Sequence, residues 1–168
     1  MRHRVKGKKI GSHQGHRKAI EKGLINQLLT HERIVTTVTK AKNYRPKAEK
    51  LITMAKKAYI AERDAKSKEE KDKAKALRLH YIRIVISRIG KQKLFDREGE
   101  PILTPKERIR TIIQKLFDDL GERYAERPGG YTRILRLPKK RQGDDAQLVL
   151  WELVGKEELE EKRKPSKN

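Results

Sequence analysis

The chain has 168 residues, which suits one domain with appendages, and 44 lysines and arginines against 23 acids give it a formal net charge of +21. Such a charge attracts polyanions, above all nucleic acid. The chain has no cysteine, which excludes disulfides and thiolate metal sites and fits a reducing cytoplasm. No apolar run reaches the length of a membrane span and no signal-peptide pattern is present, so we expect a cytoplasmic protein without membrane contact.

Residues 1–18 are predicted to form a basic, extended N-terminal arm, because they hold seven bases and no acid, and glycines interrupt any helix. We expect the arm to become ordered against phosphates; the simpler alternative is a solvated terminus. Its histidines lack the spacing and the partners of a metal site, which favours contacts with phosphates or bases. The predicted nucleic-acid contacts of the arm are Arg2, His3, Arg4, Lys6, Lys8, Lys9, Ser12, His13, His16 and Arg17.

Apolar residues at four-residue spacing predict a first helix over residues 17–30. Residues 33–39 are almost wholly β-branched and predict a strand. Thr39 then suits the N-cap of a second helix over residues 40–63. Pro46 lies inside that helix, where a kink or a later start is expected.

The middle of the chain is less regular. Residues 61–75 alternate in charge and offer almost no core, so they predict a solvated helix or a flexible extension. Residues 76–90 carry the apolar spacing of a packed helix. Residues 91–105 contain a glycine and two prolines, which predict a loop.

A further helix is predicted to begin at Thr104, with Pro105 at its first position and Glu107 completing a capping box. Residues 155–168 mix acids and bases and predict a flexible charged tail. The predicted buried face of the helix consists of Ile109, Ile112, Ile113, Leu116, Phe117 and Leu120.

A hairpin is predicted near the C-terminus. Pro128 and the glycines after it predict a tight turn, in which a glycine follows the proline at positive φ. Residues 131–137 and 148–154 read as strands joined by a basic loop. Arg133 and Arg136 are an odd number apart, so a regular strand places them on opposite faces. The predicted nucleic-acid contacts here are Tyr131, Thr132, Arg133, Arg136, Lys139, Lys140 and Arg141.

Several of these segments resemble the bacterial large-subunit ribosomal protein L17 family. The resemblance covers residues 1–60 and roughly 106–154, whereas residues 61–105 depart from the family pattern and look partly like an insertion. The matching segments are MRHR at 1–4, SHQGHR at 12–17, IVTTVTKAK at 34–42, EKLITMAK at 49–56, GGYTRIL at 129–135, the Gly143-Asp144 turn and ELV at 152–154.

The resemblance implies a two-layer α+β fold, with a small mixed or antiparallel three-stranded sheet covered by helices on one face. A single domain would span residues 19–154, between the arm and the tail. It also implies a structural constituent of the large ribosomal subunit that binds large-subunit rRNA and supports assembly and translation. Lys40 and Lys42 would meet phosphate at the start of the second helix, and neighbouring large-subunit proteins would be further partners.

Two other functions would share part of this pattern. A DNA-binding architectural protein would share the charge, but no helix-turn-helix pattern supports it. An RNA-cleaving or RNA-modifying enzyme would need histidines in a rigid setting, whereas His31 and His80 fall in different elements. We therefore expect no enzymatic activity, no cofactor, no metal and no small-molecule substrate.

Overall fold

The computed structural model describes Lys8 and residues 10–95, 99–104 and 109–155. Its fourth helix, α4, is continuous but has three parts: Ile112–Gln114, a π-helical stretch Lys115–Leu120, and Gly121–Arg123. The other elements, in chain order, are α1 (Gln14–His31), β1 (Arg33–Thr37), α2 (Val38–Asp64), α3 (Lys68–Ile89), β2 (Thr132–Lys140) and β3 (Gln147–Leu153).

The three strands form one antiparallel sheet in the order β1-β3-β2, which confirms the predicted hairpin and the α+β class. Trp151 on β3 lies opposite Ile34 on β1 and Ile134 on β2. Side chains alternate along a strand, and Val149, Trp151 and Leu153 are all buried. This face of the sheet therefore packs against the helical layer.

Helix α2 is the centre of that layer and contacts the other helices and all three strands. Small side chains at Ala41, Ala48, Ala55 and Ala58 are fully buried, which lets neighbouring elements approach closely. A Cβ built on Gly121 of α4 would lie 3.2 Å from the carbonyl oxygen of Ala55. Among the described residues, no helix is long and apolar enough to cross a bilayer.

The first helices begin earlier than their sequence predicts. Helix α1 starts at Gln14, and α2 starts at Val38 with Thr37, rather than Thr39, at its N-cap. Val38 packs against the core as the first helical residue, so packing outweighs its preference for a strand. Pro46 lies inside α2, so the expected late start is wrong.

Residues 61–75 belong to both long helices. They contain the last turn of α2, a short connection, and the first turns of α3. Ser67 caps α3 through a reciprocal capping box with Glu70. Most of these side chains are exposed, as a solvated helix requires, but Ala74 is buried. The helical alternative is therefore confirmed, and the flexible extension is not.

The loop before α4 folds back on itself. Its described part forms isolated antiparallel bridges between Lys93 and Thr111 and between Leu103 and Ile109, and it buries Leu94. Helix α4 therefore begins at Ile112, with Thr111 and Gln114 in a capping box. This start is later than predicted, and Ile109 is bridged rather than helical. The predicted capping box at Thr104 involves Pro105 and Glu107, which lie outside the described residues.

The turn before β2 places its positive φ on Gly130, at 64°. A type II turn would place it on Gly129, directly after Pro128, so the predicted turn is shifted by one residue. Nothing lies within 4 Å of a Cβ built on either glycine. A side chain at Gly130 would therefore strain the backbone without a clash.

Gly130→Val should lower the free energy of unfolding by about 1–3 kcal/mol, since a β-branched residue is strained at positive φ. Chemical denaturation of the purified protein measures this change. Gly129→Val is the matched control, because Gly129 is not among the positive-φ residues. Equal effects of the two substitutions would contradict a specific strain at Gly130.

Candidate nucleic-acid interface

The described end of the arm is attached to the domain. The backbone N–H of Lys8 donates to Asn43 Oδ1 of α2 at 3.1 Å, and Ile10 packs against the core. This contact brings Lys8 next to the first turns of α2, which carry Lys40 and Lys42. Of the predicted contacts on the arm, Arg2, His3, Arg4, Lys6 and Lys9 lie outside the described residues.

The rest of the predicted arm forms a bend and the first turn of α1. Arg17 donates to the carbonyl oxygens of Gly11 and Ser12, at 3.2 Å and 3.0 Å, and thereby holds this bend. Ser12, His13 and His16 are exposed, and the two imidazole rings lie 5.9 Å apart. Arg17 therefore has a structural role, while the two histidines remain available to an incoming ligand.

The start of α2 is electropositive. Its first turn contains Lys40 and no acid, and Lys42 follows on an exposed position. Within the described part of the chain, the side chain of Thr37 does not cap any N–H group of this turn. The backbone N–H groups and the helix dipole therefore add to the charge of the lysines.

The hairpin carries a second basic surface. Arg136 and Lys139 are exposed near the end of β2. Lys140 pairs with Asp145 at 2.5 Å, and Arg141 donates from Nε to Asp144 at 2.8 Å. The hydrogen bond from Arg141 lowers the pKa of Asp144 to about 2. Acids of the same loop thus partly neutralise Lys140 and Arg141, the second half of this basic surface.

Two predicted contact residues are buried instead. The ring of Tyr131 packs beside that of Tyr124 with centroids 5.1 Å apart. The hydroxyl of Thr132 donates to Glu49 Oε1 at 3.0 Å, which attaches β2 to α2. Both side chains are buried and inaccessible to a ligand, so neither belongs to the candidate interface.

The sheet face opposite the helical layer is here called the open face. Arg33 and Arg133 lie directly opposite Glu152 on either side of β3, and Val35 and Leu135 flank Leu150 in the next row. Val35 and Leu135 are exposed. Sequence reasoning missed Arg33 and Glu152, because only the register of three strands shows that they share a face with Arg133.

Comparison with known proteins covers nearly the whole chain. The family described as Ribosomal protein L17 matches residues 20–154. The chain is 37% identical over 147 residues to the large ribosomal subunit protein bL17 of Lactobacillus helveticus, covering 88% of this chain and 98% of that protein. The corresponding protein of Desulfotalea psychrophila is 35% identical over 159 residues, covering 94% of this chain and 93% of that protein. That of Rhodopirellula baltica is 38% identical over 176 residues, covering 93% of this chain and 82% of that protein.

These similarities confirm the resemblance found in the sequence motifs. The family match begins within α1 and ends just after β3, so it spans the described helices and strands apart from the start of α1. The chain is a structural, non-enzymatic ribosomal protein, and it belongs to the ribosomal protein L17 family.

Proposed function

We propose that the chain is a component of the large ribosomal subunit that binds large-subunit rRNA and supports assembly and translation. Neighbouring proteins of the subunit are its further partners. The relatives carry the large subunit in their names, and the net charge of +21 suits a polyanionic partner. The exposed apolar row of Val35 and Leu135 is a surface on which a protein neighbour could pack.

The contact between Lys8 and Asn43 is the observation that carries the rRNA proposal. It joins two segments that are far apart in sequence, the basic arm and the electropositive start of α2, into one surface. Lysines on this surface replace the counterions of RNA phosphates, and the released ions favour binding. The N–H groups at the start of α2 supply directed donors to the same phosphates.

Deleting residues 2–7 tests this mechanism, because it removes Arg2, Arg4 and Lys6 but leaves Lys8 and Ile10 in place. We expect the slope of log K against log salt to flatten by roughly two to three units, at about 0.7–0.9 per phosphate contact. The free protein should melt at an unchanged temperature, since Ile10 remains to pack against the core. The measurement is a salt titration of binding to deproteinised large-subunit rRNA, with a thermal melt of each variant.

A matched control is the triple substitution of Lys71, Lys73 and Lys75 by Gln. It removes the same charge from the exposed start of α3, outside the proposed interface. A slope that flattens equally in both variants would show only the effect of net charge and contradict a specific arm contact. Equal affinity of the intact chain for duplex DNA of the same phosphate concentration would instead favour the architectural DNA-binding alternative.

A further inference from the structure

Pro46 is an exposed proline in the interior of a helix. It lies well beyond the first turn of α2, where a helix would tolerate a proline without losing a hydrogen bond. Proline has no N–H group, so Pro46 cannot complete the hydrogen bond to the carbonyl oxygen of Lys42, four residues earlier. Since Pro46 is also exposed, packing in the core does not account for its place in the helix.

The carbonyl of Lys42 is therefore an acceptor without its helical partner. The ring of a proline inside a helix collides with the carbonyl four residues before it, which pushes that carbonyl away from the helix axis. Lys42 is exposed, and within the described part of the chain no donor from another element bonds to its carbonyl. The group is left to water, which an incoming donor can replace.

Two lysines flank this carbonyl on one face of α2. Lys42, Pro46 and Lys50 are spaced by four residues and are all exposed, so they follow one another along the helix. At 1.5 Å per residue the two lysines are about 12 Å apart along the axis, and the carbonyl lies between them. Arg45 and Lys47 are each paired with an acid, whereas no acid among the described residues pairs with either flanking lysine.

The two kinds of group bind different parts of a nucleic acid. Ammonium groups attract phosphate, whereas a carbonyl oxygen is itself an acceptor and bonds only to a donor. The ribose 2′-hydroxyl is such a donor, and it is present in RNA and absent from DNA. The arm reaches α2 at the next residue, where Asn43 accepts the N–H of Lys8, so this face is part of the proposed rRNA surface.

We propose that Pro46 leaves the Lys42 carbonyl free to accept a hydrogen bond from a ribose 2′-hydroxyl, and that this contact distinguishes RNA from DNA. The inference rests on the proposed function, because it takes the ligand to be rRNA. Lys42 and Lys50 bind phosphate, which both nucleic acids carry, so their side chains do not supply this distinction. Pro46 is a specificity-determining residue that acts through the backbone of α2.

Pro46→Ala is the test on the side of the protein. Alanine restores the missing N–H, which donates to the Lys42 carbonyl and withdraws it from the ligand. No charge changes, so we expect roughly two- to tenfold weaker binding of rRNA, the range for one hydrogen bond, with an unchanged slope of log K against log salt. The matched control is Gly23→Ala, which also replaces a poor helix former at an exposed helical position but alters no hydrogen-bonding group. It should bind as tightly as the unmodified chain.

The test on the side of the ligand replaces the 2′-hydroxyl groups. The probe is the shortest fragment of large-subunit rRNA that the unmodified chain binds, made with hydroxyl or with fluorine at every 2′ position. Fluorine keeps the sugar pucker of RNA but donates no hydrogen bond. The fluorinated fragment should bind more weakly, and Pro46→Ala should not weaken its binding further, since both changes remove the same contact. Lys42→Gln should instead weaken binding of both fragments and flatten the salt slope by about 0.7–0.9.

The affinities for the two fragments separate a hydroxyl contact from a change in helix shape. A loss confined to the hydroxyl fragment, with normal binding by Gly23→Ala, supports the contact. If Pro46→Ala weakens binding of both fragments equally, or of neither, the contact is overturned while the proposed function stands. If the unmodified chain does not prefer rRNA to duplex DNA, the proposed function fails, and the inference fails with it.

Discussion

Phe117→Ala should lower the free energy of unfolding by about 3–5 kcal/mol, as expected when a fully buried aromatic side chain is truncated. Phe117 is 1% exposed and lies in the π-helical part of α4, which packs on α2. The guanidinium of Arg78 lies 5.8 Å from its ring centre, at cation–π distance. Truncation therefore leaves a cavity that its neighbours cannot readily fill.

Leu79→Ala is the control for Phe117→Ala, because Leu79 is an exposed apolar residue on α3. It should change stability by no more than about 0.5 kcal/mol. Chemical denaturation with a common slope for all variants gives both values. A loss below about 1 kcal/mol for Phe117→Ala would mean that the core around α4 relaxes and that the helix is not tightly packed.

The spacing of buried residues in α4 contains a signal that the sequence interpretation did not use. The buried positions repeat every four residues, whereas an α-helix has 3.6 residues per turn and drifts by about 40° at each such repeat. The wider π-helical turns between Lys115 and Leu120 absorb this drift and keep all of them on one face. The positions are Ile112, Ile113, Leu116, Phe117, Leu120, Gly121 and Tyr124.

The local sequence pattern predicted which helices and strands form better than it predicted the residues at which they start. The hairpin and the strand β1 follow from runs of β-branched and apolar residues between turn residues. The starts of α2 and α4 depend on tertiary contacts: Val38 packs on the core, and the bridge from Lys93 holds Thr111 at the start of α4. Such contacts join residues distant in sequence, so no local pattern contains them.

The same holds for the proposed interface: local sequence features predicted some of its residues, and contacts between distant segments decided the rest. Lys42 was predicted from the family resemblance and Lys139 from the charge of the hairpin, and both lie on the surface. Tyr131 follows a glycine turn and has the character of a base-stacking residue, yet Tyr124 provides an internal partner for it. That Arg33, Arg133 and Glu152 lie in one row follows only from the pairing of three strands that are distant in sequence.

Glu32 is another residue whose importance came only from the structure. It ends α1 with φ 62°, and its carbonyl accepts the N–H of Leu153 at 2.8 Å. Its carboxylate accepts two hydrogen bonds from Arg123, at 2.6 Å and 3.1 Å, and pairs with Lys115 at 3.0 Å. One residue thus connects α1, α4 and the sheet.

Glu32→Gln should lower the free energy of unfolding by roughly 2–4 kcal/mol at neutral pH, because it removes the only carboxylate among the described residues that Arg123 and Lys115 are shown to share. The side chains of Arg123 and Lys115 are 12% and 15% exposed. Glu32 itself is 34% exposed, so solvent weakens the pair and the loss is smaller than for a fully buried one. Gln keeps the length of the side chain and the backbone conformation, which restricts the change to the charge.

The effect should depend on pH with a definite sign. Burial alone would raise the pKa of Glu32, but the hydrogen bonds from Arg123 and Lys115 outweigh it and lower the pKa below its usual value of 4.5. The carboxylate therefore stabilises the folded state fully above about pH 4.5, and this contribution is lost as pH falls through the lowered pKa. Chemical denaturation of the unmodified protein and of Glu32→Gln at several pH values should show a constant difference in unfolding free energy from neutral pH down to about 5, and a smaller difference below.

Asp72→Asn is the control, because Asp72 is an exposed acid 3.9 Å from Lys75. It should change stability by less than about 0.5 kcal/mol. A difference between the Glu32 proteins that grows on acidification would contradict a stabilising carboxylate at this position.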